Sequence, residues 1–93
     1  MQPTLVSPGA EIDPSWTAAH SPEAAAELSA AGATVLVTLP GELDAALAAA
    51  AIYRWHGARV FVTSHRAEVA QAIEMTDTIK GVRPPALTRR ALA

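Results

Sequence analysis

The chain has 93 residues, of which 51% are hydrophobic, enough for one small domain with an apolar core. The absence of cysteine excludes disulfides, cysteine-zinc clusters and thiolate catalysis, and a formal net charge of −2 gives no support to nucleic-acid binding. No apolar run is long enough to span a bilayer, and the first residues lack a signal-peptide pattern, so we expect a cytoplasmic protein without a membrane partner.

A short apolar run followed by an alanine-rich helical run occurs three times along the chain. This alternation is typical of parallel strands joined by crossover helices. It predicts a three-strand parallel α/β unit, βαβαβα, as a single domain over residues 1–82, with a proline- and arginine-containing tail over 83–93. The strand and helix pairs are predicted at 4–6 and 21–31, 33–39 and 42–56, and 58–63 and 66–80.

Local chemistry marks the ends of these helices. Ser21 provides an N-cap hydroxyl, Pro22 suits the first helical position, and Gly32 follows the helix. The second helix begins with acids and carries Arg54 near its end, as the helix dipole favours. The third helix is predicted to bury one stripe, formed by Val69, Ala72, Ile73, Thr76 and Ile79.

The second predicted helix is rich in alanine on more than one face. This smoothness allows another helix to approach its outer side closely, but alanine is also the best helix former, and both readings stay open. The charges are uneven too, because all seven basic residues lie at or after Arg54. An acidic first half and a basic second half can attract each other across a dimer or neutralise each other within one fold.

Residues that could carry chemistry are sparse. His20, His56 and His65 lack the spacing of helical metal ligands, and no phosphate-binding glycine motif is present. Ser64 and His65 follow the last predicted strand, where α/β folds place their sites, although a helix N-cap explains them as well. We therefore predict no catalytic residue, no metal and no cofactor.

Three stretches of the chain carry a family resemblance. The first is Leu5-Val6-Ser7-Pro8-Gly9 and the second is Val35 to Leu39. The last consists of Leu47 to Ile52, Gly57 to Val62, and Glu68 with Gln71, Ala72 and Ile73. In this order they resemble the C-terminal part of the pterin-binding (β/α)8 barrel of the dihydropteroate synthase family, from Thr4 to Gly81. The resemblance implies a section of the end of that barrel and a connection with folate biosynthesis.

The departures from the family pattern lie at the positions of the family's active-site motifs. Ser7 stands where the family has the aspartate of an Asp-Pro-Gly motif, and Leu39-Pro40-Gly41 replaces a Ser-Arg-Lys loop. Val62-Thr63-Ser64 replaces the Arg-Val-His of the last strand. Because the cations and the histidine that would meet an anionic substrate are lost, we predict a non-catalytic protein. Polar positions left for a ligand are Ser7, Ser64, His65 and Arg66.

Subunits of the resembling family pair through the outer faces of the late barrel helices. The corresponding surface predicts an assembly module that forms a homodimer or binds a synthase-like partner, through Ala49, Tyr53, Trp55 and Met75. One alternative is a small binder of pterin- or aminobenzoate-type ligands, or an enzyme, with a site built across a dimer. A third reading is a Rossmann-like or flavodoxin-like half unit unrelated to that family.

Overall fold

A computed structural model describes residues 2–81 of the chain. The predicted tail at 83–93 lies outside the described residues. None of the described helices has the length and hydropathy needed to cross a membrane. In chain order the elements are β1 (Thr4–Val6), β2 (Trp16–Ala18), α1 (Pro22–Ala30), β3 (Thr34–Thr38), α2 (Leu43–Trp55), β4 (Val60–Val62) and α3 (Arg66–Lys80).

The sheet has four strands in the order β1-β4-β3-β2, with parallel pairing throughout. The α/β class and the parallel sheet agree with the prediction, but the count of three strands is wrong. The additional strand is β2, which the sequence does not reveal because it is only three residues long and two of them are exposed. The observed order is therefore ββαβαβα, and α1 follows β2 rather than β1.

The position of β1 also departs from a continuous section of a barrel. Strands β2, β3 and β4 adjoin in chain order, as consecutive barrel strands do, whereas β1 pairs with β4 at the far edge. Backbone hydrogen bonds fix this pairing: the Thr4 N–H donates to Arg59 O at 2.8 Å, and the Thr63 N–H donates to Val6 O at 2.9 Å. No helix separates β1 from β2, so this connection lacks the helix that joins neighbouring barrel strands.

The two faces of the sheet have different neighbours. One face packs against all three helices through a cluster that includes Val35, Val37 and Phe61 of the strands, Ala25 of α1, Ala46 and Ala50 of α2, and Val69 and Ile73 of α3. The opposite face carries a smaller cluster of strand residues, Leu36, Val60 and Val62, with Val6 and Trp16 packed against it. Consecutive residues of β3 and β4 are buried, so side chains on both faces of these strands are shielded from solvent.

The helix ends largely follow their predicted signals. The Ser21 hydroxyl accepts a hydrogen bond from the Ala24 N–H at 3.1 Å, and Gly81 ends α3 with φ 87°. The predicted buried stripe of α3 is correct at Val69, Ile73 and Thr76 and wrong at Ile79, which is exposed. The buried position in that last turn is Asp77 instead.

A buried ion pair explains why an aspartate occupies this position. The Arg54 Nε–H donates to Asp77 Oδ1 at 2.7 Å, and an Nη2–H of Arg54 donates to Asp77 Oδ2 at 2.9 Å. The same guanidinium donates from Nη1 to Ala58 O at 3.0 Å. Both side chains are less than a tenth exposed, so the pair joins the end of α2 to α3 and to the segment that enters β4.

Candidate functional site

The predicted ligand positions gather at the carboxyl edge of the sheet. Ser7 follows β1, and Ser64, His65 and Arg66 follow β4. The Thr63–Val6 hydrogen bond joins the ends of β1 and β4, and the Leu39 N–H donates to Val62 O at 2.9 Å, which joins the ends of β3 and β4. The structure therefore brings Ser7 and the Ser64–Arg66 segment to one edge within a single chain.

Thr63 and His65 organise this edge. The Thr63 hydroxyl, which is buried, accepts a hydrogen bond from the His65 N–H at 3.0 Å. The His65 ring donates from Nε2 to Gly41 O at 2.8 Å and so joins the loop after β4 to the loop after β3. His65 occupies the N-cap position of α3, but its side chain makes no capping hydrogen bond. The predicted N-cap is therefore His65 and not Ser64.

Glu42 is the charged group beside this loop. Its carboxylate caps α2 by accepting hydrogen bonds from the Asp44 and Ala45 N–H groups, each at 2.9 Å. These backbone donors, with a smaller electrostatic contribution from His65, lower the pKa of the Glu42 carboxyl below its ordinary value. Glu42 is therefore an ionised cap and not a proton donor near neutral pH.

The remaining polar groups at this edge stand in solvent. Ser7, Ser64 and Arg66 are exposed. Asp13 is exposed too, but it lies in the connection between β1 and β2, three residues before β2 begins at the opposite edge. The Ser15 N–H and hydroxyl both donate to Asp13, which lowers the pKa of the Asp13 carboxyl. Within residues 2–81 no three His, Asp or Glu side chains are placed to hold a metal ion. The edge can present hydroxyls, one imidazole and one guanidinium to a small ligand.

The predicted interface residues divide between the core and the surface. Ala49 and Tyr53 are half-buried and pack against the helix-covered core. Trp55 is 44% exposed and Met75 is 66% exposed. On α2 the outer side is instead formed by what we call the outer stripe: Ala45, Ala48, Ile52 and Trp55, all exposed.

A shallow open groove lies beside Trp55 and was not foreseen from the sequence. Its volume is about 410 Å³, and its lining comes from all three helices and the α2–β4 turn: Ala26, Ser29, Ala30, Trp55, His56, Gly57 and Lys80. The Lys80 ammonium donates to Trp55 O and lies 5.3 Å from the centre of the indole ring, a cation–π distance. Lys80 and Trp55 are 25 residues apart, and no local sequence signal connects them.

Comparison with known proteins shows which proteins this chain resembles in sequence. Over 62 residues the chain is 42% identical to proteins named inactive dihydropteroate synthase 2 from Mycobacterium bovis (strain ATCC BAA-935 / AF2122/97) and Mycobacterium tuberculosis (strains CDC 1551 / Oshkosh and ATCC 25618 / H37Rv). The chain is a partial relative of dihydropteroate synthase. The aligned region covers 67% of this chain but only 20% of each relative.

This finding confirms the resemblance to dihydropteroate synthase that the sequence indicates. No protein-family model matches the chain, and no solved structure matches it. The relationship to dihydropteroate synthase therefore rests on the aligned residues.

Proposed function

We propose that this chain is a non-catalytic relative of dihydropteroate synthase that acts as an assembly module through the outer stripe of α2. The observation that carries the proposal is the exposure of Ile52 and Trp55, at 49% and 44%, on a helix side otherwise made of alanine. Large apolar side chains beside small ones are the usual composition of a helix-to-helix contact, with tryptophan a frequent anchor.

The absence of catalysis is supported by what the carboxyl edge presents. A reaction that expels a pyrophosphate needs positioned cationic groups to stabilise the charge that develops. In this chain the uncharged Leu39-Pro40-Gly41 follows β3, and the uncharged Ser64 precedes His65, the N-cap of α3. The name of the mycobacterial relatives, inactive dihydropteroate synthase 2, points in the same direction.

A homodimer is the partner we favour, because closed two-fold dimers are the commonest oligomers. The second partner we consider is a full-length synthase-like protein. Because Ala49 is half-buried against the core, a charge at that position would disturb folding, whereas Ala48 is exposed and tests the surface alone.

The assembly test compares Trp55→Ala and Ala48→Glu with Ile12→Ala by native mass and Tm. Ile12 is a matched control because it is 46% exposed but lies in the connection between β1 and β2. We expect both helix variants to lower the oligomeric mass while staying folded, and Ile12→Ala to change neither property. Unchanged mass in both helix variants, with folding intact and binding to a synthase-like partner also unchanged, would reject the outer stripe as the interface.

Catalysis is tested separately by incubating the purified chain with a dihydropterin pyrophosphate and p-aminobenzoate. We expect no condensation above the background without protein. Turnover that disappears in Ser64→Ala or His65→Ala would overturn the non-catalytic assignment.

A second function, binding of a pterin- or aminobenzoate-type ligand, is favoured by one observation. The joined ends of β1 and β4 bring Ser7 and the Ser64–Arg66 segment to the same edge of one chain. Such a ligand would raise Tm by binding the folded state, and Arg66→Ala with Ser7→Ala would remove that rise. A Tm that no pterin or aminobenzoate changes would exclude this second function.

A further inference from the structure

The outer stripe of α2 has the same spacing when it is read in either direction. Its members, Ala45, Ala48, Ile52 and Trp55, are three, four and three residues apart, and all four are exposed. At 1.5 Å per residue the stripe is about 15 Å long. Because the spacing is symmetric, a second α2 that runs antiparallel can set its own four positions opposite these four.

The side-chain sizes, in contrast, differ between the two halves of the outer stripe. The first half has only alanines, whereas Ile52 and Trp55 in the second half are 49% and 44% exposed. In an antiparallel pair Trp55 faces Ala45 of the second copy, and Ile52 faces its Ala48. Large side chains then meet small ones at every level, which is the arrangement that lets helix faces interdigitate. A parallel pair in register would set Trp55 against Trp55 and leave the alanines apart.

The charges at the two ends of the outer stripe are opposite. Asp44 lies beside the alanine half, is exposed, and within residues 2–81 forms no ion pair. The Lys80 ammonium lies at the other end, 5.3 Å from the centre of the Trp55 ring. An antiparallel pair that sets Trp55 against Ala45 of the second copy also brings Lys80 toward its Asp44. The two-fold axis repeats this attraction at both ends.

Contacts inside the chain hold this surface in place before any partner arrives. The Lys80 ammonium donates to Trp55 O, which fixes the end of α3 beside the end of α2. The buried Arg54–Asp77 pair joins the same two helices one turn earlier. Because Trp55 and Lys80 are already ordered, little conformational freedom is lost when they contact another molecule.

We propose that α2 packs antiparallel against α2 of a second copy of this chain, about a two-fold axis near the middle of the outer stripe. Trp55 faces Ala45, Ile52 faces Ala48, and Lys80 pairs with Asp44 at both ends. The inference rests on the proposed assembly role and adds to it the partner, the orientation and the register. Because each chain uses its outer stripe once, the assembly closes at two copies.

The first test reverses the charges in the full chain and measures the dimer Kd by sedimentation. Asp44→Lys and Lys80→Glu each turn both attractions into repulsions, so we expect each to raise Kd at least about fivefold. An equal mixture of the two variants restores both attractions and should form a mixed dimer with a Kd near that of the unmodified chain. Glu11→Lys is the matched control, because Glu11 is exposed in the connection between β1 and β2. Circular dichroism checks that every variant is folded.

The second test reads the register by disulfide formation, which the absence of natural cysteine makes unambiguous. Ala48→Cys and Ile52→Cys lie at the same level in an antiparallel pair, so a mixture of these variants should crosslink mainly between unlike chains. Two copies of Ala45→Cys are about 15 Å apart along the helices in the same pair, too far for a disulfide. We therefore expect no crosslink of Ala45→Cys with itself, whereas a parallel pair in register would form one.

The outcomes separate this inference from the assembly role on which it rests. A dimer whose Kd is unchanged in both charge variants, or in which Ala45→Cys crosslinks with itself, rejects the antiparallel register. The assembly role is then still decided by Trp55→Ala and Ala48→Glu. A chain that stays monomeric at every concentration rejects the second copy as the partner. Weakened single variants, a restored mixed dimer and crosslinks between positions 48 and 52 support the proposal.

Discussion

The buried pair between Arg54 and Asp77 gives the sharpest prediction about stability. In Asp77→Ala the guanidinium of Arg54 stays buried and loses both of its carboxylate bonds, of 2.7 and 2.9 Å, while its bond to Ala58 O remains. Removing one partner of a buried ion pair typically costs about 3–5 kcal/mol, because it leaves an uncompensated charge. A domain of this size has about 5–14 kcal/mol of total stability, so the variant loses a large share of it.

The measurement is urea and thermal unfolding followed by circular dichroism. For a domain of fewer than 100 residues, a loss of about 3 kcal/mol lowers Tm by about 12–24 °C. The control is Glu68→Ala, which removes an exposed acid from the first turn of the same helix and is expected to cost less than about 0.5 kcal/mol. If Asp77→Ala costs no more than Glu68→Ala, the pair does not hold α2 against α3.

A double variant separates the cost of an orphaned charge from the value of the pair. Arg54→Met with Asp77→Leu removes both charges and keeps apolar volume, and such replacements are often neutral or stabilising. We expect the double variant to recover most of the stability lost in Asp77→Ala. A deficit of about 1 kcal/mol should remain, because Ala58 O loses its buried donor. A double variant less stable than Asp77→Ala would contradict this reasoning.

Three further predictions concern local structure. Gly57→Ala should destabilise the fold by about 1–3 kcal/mol in urea unfolding, because Gly57 has φ 106° and an added Cβ would meet the Ser29 side chain. The control Gly32→Ala, at φ 91° with open space around the added Cβ, should cost less in the same measurement. Glu42→Ala should lower Tm near neutral pH and not in acid. The pKa of the Glu42 carboxyl in the folded state lies below its ordinary value, so the ionised cap stabilises the fold when the pH is above the ordinary pKa. This stabilisation is lost as the pH falls through the lowered pKa of the folded state. Ser21→Ala should cost about 1 kcal/mol by removing the N-cap of α1, and Ser21→Thr should keep most of the stability.

The elements that the sequence predicts best are those marked by local chemistry. The bounds of α3 agree with the prediction at both ends, and Ser21 caps the start of α1 as expected. Such signals act over a few residues, so they can be read directly from the chain. They also depend little on how the elements are later packed.

The features that the sequence does not predict depend on contacts between distant residues. Strand β2 is stabilised by pairing with β3, from Trp16 opposite Thr34 to Ala18 opposite Leu36, and not by an apolar pattern of its own. Arg54 fits the helix dipole when it is considered alone, and its partner lies 23 residues away. A signal for Asp77 does exist, because it stands four residues after Ile73 on the buried side of α3. An acid at such a position calls for a buried cation.

The candidate site shows the same division. The sequence places Ser7, Ser64, His65 and Arg66 after strands, which is where parallel sheets carry their ligands. It does not show that β1 lies beside β4, and that pairing places Ser7 next to the segment that holds the other three residues. The groove beside Trp55 depends on three helix ends at once, so no single stretch of sequence contains it.

The sheet topology bears on where another molecule can contact this chain. Strand β1 takes the free side of β4 and β2 takes the free side of β3, which leaves two three-residue strands at the edges of the sheet. Short edge strands offer little backbone for another sheet to pair with. An assembly contact in this protein is therefore better sought on the outer stripe of α2, where Ile52 and Trp55 are exposed, than along the sheet edges.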